Sequence, residues 1–248
     1  MESYLSIGEV SRLLDIPEST LRFWQEKGIF TVSQGQNNYR NYTVKDLINI
    51  AEIAFYRNIG IPVKEMKDFS RLSLRDYDKI LGGVGKELEE KLCMYEMMLE
   101  SVGLKSQHIK DIELLKQVDY LYGEVPFDQI VAFDYSEKDK LIRYTKNPSL
   151  YVRWMDTNAL EQDIRGIIAE QAEEDDTVLW HRSDNKKYAV FLIEEIASEN
   201  YKNDIPQKLA VLQKKHKTGL LLANFLLSEG DGSKRIDYLK AYVELIEP

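Results

Sequence analysis

Apolar residues near the start of the chain fall into two short groups at helical spacing. Ile7, Val10, Leu13 and Leu14 form the first group, Leu21 and Trp24 the second, and Ile16 lies in the turn between them. Two short amphipathic helices joined by a few residues describe a helix-turn-helix. Pro17 suits the first position of the second helix, and Gly28 suits the position just past its end. Gln34–Asn38 is rich in turn residues, and Tyr39-Arg-Asn-Tyr-Thr43 follows it. That stretch predicts a small β wing closed by a helix with Thr43 as N-cap and Asp46 in its first turn. Lys45–Ile59 carries a broad apolar face and stops at Gly60, and a further helix is expected over Val63–Leu72.

From residue 74 to 118 the pattern predicts one long helix. Val84, Leu88, Leu92, Tyr95, Leu99 and Val102 recur every three or four residues, and Ile109, Ile112 and Leu115 continue the stripe. Flanking lysines and glutamates make this a candidate coiled-coil seam. Gly82, Gly83, Gly85 and Gly103 weaken the helix, and packing on its own domain is the plainer alternative.

After Gly123 the period shortens. Alternating segments at 129–135, 140–145, 150–156, 177–182, 187–196, 219–228 and 236–247 predict strands. Helices are expected at about 158–173, through Leu160, Ile164, Ile167 and Ile168, and at 200–217. The fold class is therefore α+β, with three regions: 1–73, 74–120 and 121–248. An internal βαβ repeat is one arrangement of the last.

Charge bears on the partner. The 248 residues carry a net charge of −9, which argues against nucleic acid. Residues 1–75, however, hold 10 Lys/Arg against 9 Asp/Glu, while the remainder holds 23 against 33. The acidity lies outside the helix-turn-helix, and contact with DNA phosphates needs local positive charge only. Ser19, Thr20 and Arg22 sit near the N-terminus of the second helix, on its polar side, where a major-groove reader needs short hydroxyls and an arginine.

Several chemistries find no support. There is no run of 18 apolar residues and no basic-apolar leader, so a cytoplasmic protein is expected. The one cysteine, Cys93, forms no internal disulfide or Cys cluster and reads as a small buried residue on a helix. Phosphate loop, nucleophile motif and zinc-ligand spacing are all missing. No cofactor, metal or catalytic residue is expected. His181 beside Trp180, with Glu194 on a neighbouring strand, is the only hint of acid–base work, and a lone strand histidine is usually structural.

Four motifs carry a resemblance. Ser-Ile-Gly-Glu-Val (6–10), Thr-Leu-Arg-Phe-Trp (20–24), Tyr-Arg-Asn-Tyr-Thr (39–43) and Asn-Ile-Gly-Ile-Pro-Val-Lys-Glu-Met (58–66) stand in the order and spacing of the MerR family of transcriptional regulators. The resemblance covers about the first 70 residues. It implies a winged helix-turn-helix at 1–73 and an antiparallel dimerisation helix at 74–120. It also implies a homodimer on a pseudo-palindromic promoter, acting there with RNA polymerase by bending and underwinding the DNA. Arg22, Tyr39, Arg40 and Tyr42 would hold phosphates, Ser19 and Thr20 would lie closest to bases, and Lys64 matches a backbone-contacting position. The family commonly shows two tyrosines where Phe23 and Trp24 stand. Phe23 has no donor, and the Trp24 indole N–H serves only if it is exposed.

Residues 121–248 resemble, more weakly, the effector-binding domain of BmrR-type regulators and GyrI-like proteins, through Lys187-Tyr-Ala-Val-Phe191, the helix after it and the closing Tyr238–Glu244 strand. That implies a flat, lipophilic effector between aromatic walls, with Tyr151, Trp154, Trp180, Tyr188, Glu194, Asn224 and Phe225 as candidates. Asn224 or a neighbour falls where BmrR-type sequences place an acidic residue facing a cationic drug, which puts cation selectivity in question. The alternative is a DNA-binding repressor or architectural protein whose C-terminal domain binds another protein.

Overall fold

A computed structural model describes residues 4–33, 40–63, 65–67, 72–183, 185–230, 232 and 234–246. The chain divides into two compact units, Met1–Glu96 and Met97–Pro248.

In the first unit, α1 (Ile7–Leu14) starts with a capping box in which Ser6 and Glu9 satisfy each other's backbone N–H groups. Asp15 ends it in the left-handed region, and buried Ile16 turns the chain into α2 (Glu18–Glu26). Pro17 stands one residue earlier than expected. With ψ at 138° it is the N-cap of α2, not its first helical residue. Gly28, at φ +71°, takes the left-handed position past the helix end. α3 (Val44–Asn58) opens with a second capping box, Thr43 with Asp46. Val10, Leu21, Trp24, Tyr42, Ile50 and Ile61 form the core of this unit, and a bridge pairs Leu5 with Tyr42. The turn-rich part of the expected wing, Gln34–Tyr39, lies outside the described residues. Of the helix expected over Val63–Leu72, residues 63 and 65–67 form a 3-10 turn, while 64 and 68–71 lie outside.

α4 (Leu74–Leu115) is continuous for 42 residues, starting from a Ser73–Asp76 cap. Its apolar stripe has three fates. Ile80 and Val84 pack on the core of the first unit, while Ile112 and Leu115 are buried in the core of the second. Leu88, Leu92, Tyr95, Leu99 and Val102 between them are exposed. Cys93, expected to be buried, is exposed as well, because it lies on this uncovered middle stretch.

The second unit is a nine-stranded sheet in which every pairing is antiparallel. Its strands are β1 (Leu121–Gly123), β2 (Gln129–Ala132), β3 (Tyr151–Asp156), β4 (Ala159–Ala169), β5 (Val178–His181), β6 (Lys187–Ile196), β7 (Lys202–Asn203), β8 (Lys217–Gly230) and β9 (Arg235–Ile246). The order is β1-β6-β9-β8-β3-β4-β2-β5, with β7 on β6. The unit also contains α5 (Lys138–Lys146) after β2 and α6 (Ile205–Leu212) after β7. The repeat is therefore βαββ, not βαβ. β2-α5-β3-β4 and β6-α6-β8-β9 have the same internal strand order and join where β3 pairs with β8.

Two expected elements exchange type. The predicted strand at 140–145 is α5, whose Leu141 and Tyr144 pack on Phe133, Val131 and Ile167. The predicted helix at 158–173 is β4, a central strand held by both β3 and β2. The spacing of Leu160, Ile164 and Ile167 mimics a helix, but strand pairing along both edges decides the outcome. Gly166 permits that pairing, since a Cβ there would collide with the Ile130 side chain.

Alternation gives the sheet two faces. Val190, Leu192, Leu222, Tyr238 and Tyr242 point to one, which the end of α4 covers with Ile112 and Leu115. Ala189, Phe191, Ile193, Leu221, Leu239 and Ala241 point to the other, where α6 packs. α4 is pinned at a bulge in β8, where the register shifts between Phe225 and Leu227. There the Leu226 carbonyl accepts from Lys105 Nζ at 2.7 Å, from His108 Nδ1 at 3.2 Å and from Ser149 Oγ at 3.4 Å.

Candidate functional site

In the first unit, α2 presents a short polar surface. Ser19 and Arg22 are exposed, and Thr20 is half-buried. Arg22 Nη2 reaches Glu18 one turn earlier at 2.8 Å, with both side chains about half exposed. Such a pair contributes little to stability, so the guanidinium can exchange Glu18 for a phosphate at small cost. Arg40 is half-buried beside the Leu5–Tyr42 bridge.

Two candidates are not at this surface. Trp24 is 1% exposed and packs in the core with the Arg57 guanidinium 5.9 Å from its ring, so the exposure its role required is not met. It lies one turn from Leu21 on the buried side, which leaves Phe23 exposed in its place. Tyr42 is wholly buried, and its hydroxyl has no hydrogen-bond partner among the described residues. Burial pushes its phenol pKa up, against the pull of Arg40 and Arg22. Tyr39 and Lys64 lie outside the described residues.

The second unit holds a cavity of about 590 Å³ on the sheet face that carries α5 and α6. Its aromatic wall is Tyr135, Tyr144, Tyr151, Tyr201 and Phe225, and Leu239 adds an apolar floor. Tyr135 stacks edge-on against Tyr144 at 6.2 Å, and Tyr144 against Tyr151 at 6.3 Å. Burial raises the Tyr151 hydroxyl to about 12, so it stays a neutral donor. Six charged residues complete the lining: Arg153, Arg165 and Arg235 with Asp163, Glu195 and Asp237. Arg153 donates through Nη1 to Glu195 and through Nε to Asp163 at 2.7 Å. Burial works against its charge, but the two carboxylates outweigh that and raise its pKa. Arg235 Nε reaches Asp237 at 3.0 Å.

Of the effector candidates, Tyr151 and Phe225 line this cavity. Trp154, Trp180 and Tyr188 lie on the opposite face, in or against the core under α4. Glu194 shares that opposite face by alternation, and it is Glu195, one residue on, that enters the cavity. Asn224 is buried and donates to the Ser149 and Tyr151 carbonyls, so it braces the wall from behind. His181 ends β5 at the surface. The arginines and carboxylates of the lining went unpredicted. Tyr151 and Arg153 on alternate positions of one strand were the available signal.

Residues 5–72 match the model of the MerR HTH family regulatory protein domain. The N-terminal unit carries a MerR-type helix-turn-helix domain. The chain is 29% identical over 127 residues to the Multidrug-efflux transporter 1 regulator of Bacillus subtilis (strain 168), covering 50% of this chain and 44% of that protein. It is 27% identical over 88 residues to the HTH-type transcriptional regulator HmrR of Rhizobium leguminosarum bv. viciae, covering 36% and 67%. The chain thus spans under half the length of the first of these relatives. A crystal structure of HiNmlR, a MerR family regulator lacking the sensor domain, bound to promoter DNA, overlaps with a TM-score of 0.37 at 17% identity, covering 46% of this chain and 96% of that one. Among the described residues no helix is long and apolar enough to cross a membrane, and no group of three or more His, Cys, Asp or Glu is placed to hold a metal.

Proposed function

We propose that this chain is a dimeric, DNA-binding transcriptional regulator whose C-terminal unit senses a small aromatic molecule. The observation that carries the sensing half is the 590 Å³ cavity, within the usual size of a small-molecule site and walled by five aromatic rings. A cleft of this size favours a small-molecule occupant over a protein partner. The MerR-type head supports the DNA-binding half, with Ser19 and Arg22 exposed at the start of α2, where a recognition helix meets base edges and phosphates. Leu88, Leu92, Tyr95, Leu99 and Val102 on α4 supply an apolar stripe for a second copy, and two-fold symmetry suits a palindromic operator. Contact with RNA polymerase and activation by promoter distortion belong to the same proposal.

The test starts from a random duplex pool. Selection with the purified full chain should enrich a site with two inverted half-sites. On that duplex Arg40→Ala should weaken binding to every sequence alike and lower the slope of log affinity against log salt by about 1, as expected for a lost phosphate contact. No enrichment of any duplex would end the DNA-binding reading. Loss confined to certain base changes would move Arg40 from phosphate to base contact.

A further inference from the structure

The cavity's hydrogen-bonding capacity is lopsided. Its carboxylates are already engaged by the protein. Glu195 Oε2 accepts from Arg153 Nη1 and from Asn203 Nδ2, Asp163 Oδ2 accepts from Arg153 Nε, and Asp237 Oδ1 accepts from Arg235 Nε and Ser228 Oγ. The donors are not. The Arg165 side chain has neither a hydrogen bond nor an ion pair among the described residues; its guanidinium lies over the Tyr135 ring, 5.4 Å from the centroid. The hydroxyls of Tyr135, Tyr144, Tyr151 and Tyr201 are likewise unengaged among the described residues. Asp134 lies close enough to feel the charge of Arg165, but its Oδ1 is taken by Ser136 N and Oγ, and it is not part of the cavity wall.

A cation entering such a site finds every carboxylate already hydrogen-bonded to an arginine, with Arg153 serving both Glu195 and Asp163. An anion finds one free guanidinium and a set of phenol donors around an aromatic slot. We infer that the cavity takes an aromatic molecule bearing a negative charge, a carboxylate or its equivalent, with the rings between Tyr144, Tyr151 and Phe225 and the anionic group on Arg165. This inference rests on the reading of the cavity as the effector site. It departs from selection of cations, because the one deeply buried carboxylate, Glu195, is spent on Arg153.

The experiment uses three probes that share one ring system: 2-naphthoate, 2-naphthalenemethanol and 2-naphthylmethylammonium. Each is titrated by calorimetry into the purified 248-residue chain and into Arg165→Gln. Arg165 is exposed at the cavity wall, so its loss leaves the core intact. The expected order is naphthoate tightest by ten-fold or more, then the alcohol, then the ammonium. In Arg165→Gln the carboxylate preference should vanish while the alcohol still binds. Equal or tighter binding of the ammonium, or a carboxylate preference that survives in Arg165→Gln, overturns the inference and leaves the effector cavity standing. No binding of any of the three overturns the cavity reading itself, and the inference with it.

Discussion

His108 shows how one side chain records its surroundings. It sits on the inner side of α4, 7% exposed, and its Nδ1–H donates to the Leu226 carbonyl, which fixes the neutral tautomer. Burial is the main force lowering its pKa, and nearby Lys105 and Lys240 add to it against Asp111. The folded chain therefore binds this proton less readily than the unfolded chain does. Stability is fully present above the unfolded value of about 6.5 and falls as pH drops toward the lowered folded value. Urea denaturation from pH 7.5 to 5 should show that loss, with a slope of at most about 1.4 kcal/mol per pH unit for the one proton. His108→Gln should flatten it, and an unchanged slope would place the titration elsewhere. Nothing in the sequence marked this residue, because its neighbours lie far along the chain. The same distance hid Arg153, whose partners are 10 and 42 residues away. What local spacing could express was legible: the Thr43–Asp46 cap, Gly28, and Leu21 beside Trp24.

Among the elements, helices in the first unit were readable because caps and period agreed. In the second unit the readable strands were those with apolar residues on at least one face, such as β6 and β9. β4 was misread because Glu161, Gln162 and Asp163 follow one another as polar residues in its outer half, where Asp163 and Arg165 turn to the cavity. α4 makes the opposite case. Its period is clear, but period alone does not say what covers it, and the structure leaves Leu88 to Val102 open. Leu99 is 71% exposed in the single chain, so Leu99→Lys should change the stability of the unpaired fold by less than about 0.5 kcal/mol. In a dimer sealed by this stripe it buries a charge. Light scattering after size exclusion should show a dimer for the parent chain and a monomer for the variant. A variant that stays dimeric would assign the interface to another surface.

The molecule as a whole has separate cores. Val10, Trp24 and Ile50 belong to one, and no residue of it recurs in the clusters around Leu222 and Met155. Chains built this way depart from a single cooperative transition. Calorimetry should resolve two unfolding steps. Ile50→Ala should lower one by about 2–5 kcal/mol and Leu222→Ala the other by a similar amount. One merged transition, moved by either change, would contradict that division. The acidic balance is uneven too, since residues 1–75 are nearly neutral and the remainder carries the negative charge.

The bulge at Leu226 has one more consequence. Each donor on a carbonyl oxygen draws electrons from the carbon–oxygen double bond and softens its vibration, and three donors on one oxygen do so together. Carbon-13 placed at this single peptide should absorb apart from the rest of the sheet, on the low-frequency side. Removing Lys105 or His108 should move that line upward. Because the next ring back along the strand, Phe225, is cavity wall, the wavenumber of one bond becomes an optical gauge of the peptide that joins the aromatic slot to the long helix.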